Sequence, residues 1–433
     1  MNVSQSDFPG LDDFDEFISK LPPNSVVRLE PGLYRTWGIY QGPNGLAGIQ
    51  LPPGLRLLGS GAGATVIQLI DVASEAKGWF HILEATGEGT VVQDLTVDCN
   101  GANLSKPQVI TGAIQLKGHR SIIRNVEIKG IGHWDPNCAE AFFVSIIEEG
   151  DKDLRDVLVD GLRFNGPVLG DTSKPRQFTM LLVTNNHGKP VLNARIVACS
   201  MVRTDNEENI YGQAITTAEA VGAAVDHNYV ENFGTGYYQD NYSCHGVIIR
   251  DNVFRNVRAG IHLDNSCSPD QVFESIHVSG NRIDIQRTML DSQWYWGGIL
   301  FLTDATGKTP TNVTQFVTIR DNLVRFFDGQ PQGNATNTGI MVAQYYGDHK
   351  TLADYATIEN NIIDMTTPNA IQCDVDHYRI CGNTDFQRNL LPAWDNHRKV
   401  LFSNDSRADS SDVEAAVKAS AKKMVDAMSA AIE

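Results

Sequence analysis

The chain has 433 residues, of which 42% are hydrophobic and 20% charged, ordinary globular usage that excludes wholesale disorder. Its 35 Lys and Arg stand against 52 Asp and Glu, a net charge of -17. A chain this acidic lacks the basic face that nucleic acid or an anionic membrane requires, so neither is an expected partner. It also carries 38 Gly and many Asn, residues that helices avoid and turns use.

No apolar run approaches the roughly 18 residues of a membrane-spanning helix. Met1–Asp7 has neither the basic nor the apolar region of a secretory signal, which reads as a cytoplasmic protein or a mature secreted form. The seven cysteines are scattered, without C-x-x-C spacing, and read as small buried hydrophobes rather than zinc ligands.

In chain order, Leu11–Leu21 places apolar residues at helical spacing and Pro22-Pro23 ends the pattern, predicting a short capping helix within 1–24. Short strand-like runs follow at Ser25–Leu29, Gly48–Leu51, Leu55–Leu58 and Thr65–Leu69, each bounded by Pro or Gly. From about residue 90 the chain repeats a unit: an alternating apolar run, Asp or Gly, Asn, and a second apolar run. Its copies center on Asn228, Asn252, Asn281, Asn322, Asn361 and Asn383, separated by 22 to 41 residues. Short strands repeating at such a period mean a solenoid whose rungs carry loops of different length. An Asn at a fixed turn suits the left-handed conformation, and stacked copies would form a side-chain ladder inside the coil. Beyond residue 405, Ser410-Ser411-Asp412 reads as an N-cap, and Val413, Ala416, Val417, Met424, Val425, Met428 and Ile432 share one helical face.

These rungs, with Val26–Tyr34 and Leu57–Gly61 ahead of them, resemble the right-handed parallel β-helix of pectate-lyase-like proteins. The resemblance implies an all-β fold: a single right-handed parallel β-helix over 25–405, with a short N-terminal capping helix over 1–24 and a C-terminal helical tail over 406–433. It also implies carbohydrate-active chemistry, and it accommodates a homo-oligomer, trimers being common among look-alikes. It does not single out one family. Only His245-Gly246 is similar to the Gly-His-Gly element of polygalacturonases, and Asp135-Pro136-Asn137 stands where alginate epimerases would carry Asp-Pro-His.

Stacked rungs put equivalent residues in columns about 4.8 Å apart. Aligning the second strand of each rung on its leading Gly236, Gly260, Gly298, Gly339 or Ala370 turns alternate residues outward. One outward column then reads Tyr238, His262, Leu300, Met341, Gln372, and the next Asp240, Asp264, Leu302, Ala343, Asp374. Asp240 and Asp264 become neighbors about 5 Å apart, with His262 beside them. Two such carboxyls repel when both are ionized, which separates an acid from a base, and the spacing is near that of a retaining glycosidase. Asp-Asn at a strand end is equally a turn pair that satisfies backbone groups.

Glu208, one rung earlier, and Asp304 are candidate partners for this pair. Aromatic residues gather nearby: Tyr237, Tyr238 and Tyr242 flank Asp240, Trp294 and Trp296 precede the next rung, and Tyr345-Tyr346 follow the one after. Such rings stack on the C–H faces of sugars. The expected catalytic set is Asp240, Asp264, His262 and Glu208. The expected substrate-binding set is Tyr238, His245, Trp294, Trp296, Asp304, Tyr345 and Tyr346.

This set points to cleavage or transfer of glycosidic bonds in an oligo- or polysaccharide, without a metal or other cofactor. A uronate lyase or epimerase is the alternative. It would draw on Arg250, Arg255 or Arg258 and on Ca²⁺, for which Asp374-Val375-Asp376-His377 is the nearest metal-like string. The third reading is a glycan-binding solenoid without catalysis. The acidic balance favors a neutral glycan, because Asp-lined walls repel a polyuronate.

Overall fold

Period-two apolar runs bounded by Gly, Asn and Asp form short strands here, as their composition requires. A computed structural model describes residues 1–402 except 12, 38–39, 43–44, 48, 72–79, 86, 105–110, 132–139, 149–151, 169–176, 186–188, 205–211, 241, 265–270, 286–295, 304–311, 327–336, 345–351, 365–369, 374, 376, 392 and 396–399. The chain divides into two compact units, 1–216 with 228–234, and 217–227 with 235–433. Each is a parallel β-helix. The tail expected over 406–433 lies outside the described residues.

In the first unit, Val26–Leu29, Arg56–Leu58, Val91–Asp98, Ile122–Lys129, Leu158–Asp160 and Arg195–Val197 pair in parallel as one sheet. Ile49–Leu51, Phe80–Ala85, Thr111–Lys117, Glu140–Glu148 and Gln177–Asn185 form a second. The predicted N-terminal helix is present as α1, Asp13–Ser19. Phe14 and Ile18, one turn apart, are fully buried and pack it against Gly32–Thr36 and Ile49–Leu51. A solenoid's terminal coil needs such an apolar cover. Asn2–Val3 adds a parallel strand beside Val26–Leu29.

In the second unit, Ala224–Asp226, Ile248–Arg250, His277–Ser279, Val313–Arg320, Leu352–Glu359 and Tyr378–Cys381 pair in parallel. The opposing sheet runs Thr235–Asp240, Ala259–Asp264, Trp296–Thr303, Asn337–Gln344, Ile371–Cys373 and Ala393–Asp395.

The expected Asn ladder is built into this unit. Asn252, Asn281, Asn322, Asn361 and Asn383 are each at most 1% exposed. Each Nδ2 donates to the next Asn Oδ1 at 2.8–2.9 Å, through Asn383, and the backbone N–H of the same donor reaches that Oδ1 at 3.0–3.1 Å. Nδ2 also donates to a carbonyl of the preceding rung, as Asn322 does to Val278 at 3.1 Å.

The left-handed residue is not the Asn, as the sequence suggests, but the one before it: Asp251, Gly280, Asp321, Asn360 and Gly382, with φ of 54–67°. This accounts for the Asp/Gly-Asn order of the repeat, since both types tolerate that conformation. In the first unit Asn228 makes the equivalent bonds, accepting from the Cys199 N–H at 2.9 Å and donating to Ile196 at 3.0 Å. Cys199 is free and buried, as are Cys99, Cys244 and Cys373.

A second column has a steric cause. A Cβ on Gly260 would lie 2.7 Å from the Gly298 carbonyl oxygen and 2.5 Å from Ile283 Cγ2; one on Gly298 would lie 2.5 Å from the Gly339 carbonyl oxygen. A backbone oxygen cannot retreat without breaking the parallel ladder. Gly298→Val is therefore expected to cost about 1–3 kcal/mol by overpacking. An unfolding midpoint equal to wild type would refute the steric reading.

Candidate active site

The glycine column sets the register of the second sheet, and through it the outward columns. Tyr238 pairs with His262, His262 with Leu300, Leu300 with Met341, and Met341 with Gln372, the column expected from sequence. Asp264 pairs with Leu302 and Leu302 with Ala343. Gln239 pairs with Leu263, so Asp240 and Asp264 end neighboring strands one residue further on.

The outward column is not solvated along its length. Tyr238 is 9% exposed, His262 8%, Gln372 4%, and Leu300 and Met341 are fully buried. Leu300, Leu302, Met341 and Ala259 form an apolar cluster, so this face carries a packed layer of its own. Asp240 and Asp264 lie half-buried at the polar end of that face. Tyr237, counted above among the aromatics around Asp240, instead lies fully inside the coil. Its hydroxyl joins Thr217 Oγ1 at 2.7 Å, Thr217 donates to Gln239 Oε1 at 2.7 Å, and Gln239 Nε2 donates to the Asp240 carbonyl at 3.3 Å. This interior network holds the strand end that carries Asp240.

His262 is the best-defined group of the site. Its ring meets Tyr238 edge-on, with centroids 5.2 Å apart, and its Nε2 lies 3.9 Å from Asp264 Oδ2. That Nε2 is buried and has no hydrogen-bond partner among the described residues. Burial pushes the imidazole down to about 4, opposed by the Asp264 carboxyl and reinforced by the Arg258 guanidinium. The ring is neutral at pH 7, able to orient a hydroxyl but weak as a base.

Sequence reasoning missed Glu219. It follows the strand Gly212–Ala218 in the left-handed conformation, with φ of 55°. It is 8% exposed, and its buried Oε2 has no hydrogen-bond partner among the described residues. Burial raises its carboxyl to about 7. The sequence signal was faint: a lone acid in Thr216-Thr217-Ala218-Glu219-Ala220-Val221. Tyr242 connects it to the pair. The Tyr242 N–H donates to the Asp240 carbonyl, and its hydroxyl is raised by burial and then by the charges of Asp240 and Glu219.

His245 is not brought to this column. It lies on the other sheet, paired with Val221 and Glu274, and its Nδ1 is 3.3 Å from Glu274 Oε2. Trp296 starts the strand Trp296–Thr303, its backbone opposite Asn337. Glu208, Trp294, Asp304, Tyr345 and Tyr346 lie outside the described residues, as do Asp374 and Asp376. Among the described residues no cluster of three or more His, Cys, Asp or Glu side chains is arranged to hold a metal ion.

The first unit has a comparable buried histidine. His81, 3% exposed, donates from Nε2 to the Phe142 carbonyl at 2.8 Å, and burial lowers it to about 4 against the opposing charge of Glu84. His81 and His262 therefore make stability pH-dependent with one sign. The unfolded chain protonates each near its ordinary value of 6.5, the folded chain only near 4. Their contribution is full above the higher value and is lost as pH falls to the lower, on the order of 3 kcal/mol per histidine. His81→Gln is expected to reduce the proton uptake on unfolding across this window by about one proton. A pH dependence of unfolding identical to wild type would refute it.

No protein-family model matches the chain, and no curated protein does. Solved structures do. The tailspike of Escherichia coli bacteriophage HK620, determined with a pentasaccharide, matches over 90% of this chain and 80% of its own at 12% identity, with a TM-score of 0.54. Polygalacturonase from Erwinia carotovora matches over 87% of this chain and 96% of its own at 11% identity, with a TM-score of 0.52. PfbA, a surface adhesin of Streptococcus pneumoniae, matches over 89% and 86% at 15% identity, with a TM-score of 0.51. The likeness is one of fold, a right-handed parallel β-helix.

Proposed function

We propose that this chain binds an oligo- or polysaccharide at the polar end of the outer face of its second sheet, beside Asp240 and Asp264, and cleaves or transfers its glycosidic bonds by carboxylate chemistry. The observation that carries the reading is the buried, unpartnered His262 Nε2 set 3.9 Å from Asp264, on a strand next to the one that ends in Asp240. An orphaned buried nitrogen costs free energy unless a ligand group meets it, and a sugar hydroxyl is a fitting partner. Adjacent parallel strands hold their carboxyl-bearing residues about 5 Å apart, near the separation that lets one carboxylate attack the anomeric carbon. The pentasaccharide bound to the HK620 tailspike and the substrate in the name of the Erwinia polygalacturonase lend the sugar class support.

A lyase or epimerase acting on uronates is the second reading, favored by Arg258, whose guanidinium lies close enough to depress His262. Incubating the chain with a panel of neutral and uronate glycans, read by mass and ultraviolet absorbance, separates the readings. Hydrolysis or transfer gives new masses without absorbance. Elimination gives an unsaturated, absorbing product. Binding without any mass change leaves only a glycan-binding solenoid and overturns catalysis.

A further inference from the structure

We infer that Glu219 is the proton donor of this site, which leaves Asp240 and Asp264 as the carboxylates that attack or activate water. The inference rests on the glycosidic reading above and assigns a part that the paired aspartates were expected to divide between them. Two observations support it. Glu219 is more than nine-tenths buried and its buried Oε2 has no hydrogen-bond partner among the described residues, an unmet group that a ligand oxygen would satisfy. Val221 pairs with His245, so Glu219, two residues earlier, lies on the rung beside Ser243 and next to Tyr242, whose N–H donates to the Asp240 carbonyl. Burial also keeps the carboxyl protonated up to about neutral pH, the state a donor needs.

In the reaction, the proton on Glu219 passes to the glycosidic oxygen as the bond from that oxygen to the anomeric carbon breaks and its electron pair stays with the oxygen. Either an aspartate carboxylate forms the new bond to the anomeric carbon and is displaced when water attacks that carbon and gives its proton to Glu219, or water attacks directly and gives its proton to an aspartate. Glu219 regains its proton from water.

The test compares the glycan found to be cleaved with its 4-nitrophenyl glycoside, whose leaving group departs without protonation. Glu219→Gln is expected to lower kcat on the glycan by about 10²–10⁴-fold and on the nitrophenyl glycoside by less than about tenfold. The wild type itself offers a check that needs no variant: its kcat on the glycan is expected to fall as pH rises through about 7, the value to which burial raises Glu219, while its kcat on the nitrophenyl glycoside does not. A variant within about threefold of wild type on both substrates, an equal loss on both, or matching wild-type pH profiles overturns the assignment of the donor and leaves the glycosidic reading standing. A wild type that cleaves no glycan overturns that reading and the donor with it.

Discussion

Asn322→Ala is expected to destabilize the second unit by on the order of 4 kcal/mol, because it strands one buried backbone N–H and removes several further buried hydrogen bonds at once. Asn322 Oδ1 accepts both the backbone N–H of Asn281, at 3.0 Å, and its Nδ2, at 2.9 Å; Asn322 Nδ2 donates to the Val278 and Arg320 carbonyls and to Asn361. Truncation leaves the buried backbone N–H of Asn281 without its acceptor and takes one further bond each from Asn281 Nδ2, which keeps the Ile249 and Ser279 carbonyls, from the Val278 and Arg320 carbonyls and from Asn361 Oδ1. A group left without a partner costs about 1–3 kcal/mol when water does not reach it. Asn322→Asp restores the acceptor but not the donor and adds a buried charge, so it is expected to be no better. The exposed Asn103→Ala is the control, expected within about 0.5 kcal/mol of wild type. Thermal or denaturant unfolding of the three variants reads the difference. An Asn322→Ala midpoint equal to that of Asn103→Ala would show that the ladder is ornamental.

Asp264→Asn is expected to reduce turnover of the cleaved glycan by about 10²–10⁴-fold while leaving the fold intact. The substitution keeps the size of the side chain and its place opposite Leu302, and removes the carboxylate beside His262. Because that carboxyl opposes the lowering of His262, the neutral amide is also expected to drop the imidazole further, a shift readable by proton magnetic resonance of the ring. The control is Asp321→Asn, an exposed acid at the left-handed position of another rung. Full turnover by Asp264→Asn would overturn carboxylate catalysis at this position.

Much of the fold was legible because a solenoid repeats one environment. Each rung places its Asn against another Asn and its Gly against another backbone, so the same residue is demanded at every turn. The column Tyr238, His262, Leu300, Met341, Gln372 followed from that alignment alone. Insertions between rungs answer to no such demand, and Glu208, Trp294, Asp304, Tyr345 and Tyr346 were chosen by residue type alone. His245 was chosen by likeness to a short motif, yet its backbone pairs on the other sheet, where Glu274 is its partner.

The amino-acid sequence by itself determined the parallel coil, the Asn ladder, the capping helix and the order of residues along each column, because these depend on local periodicity and on contacts between copies of one unit. Only the tertiary structure decided which outward positions are buried and which carboxyl is raised. Leu300 and Met341 turn outward and are still packed, and Glu219 at a corner is desolvated while Asp240 and Asp264 stay half-exposed. Alternation says which way a side chain points. How much water reaches it depends on the volume and polarity of residues a full rung or more away, and desolvation is what moves a carboxyl toward neutral pH.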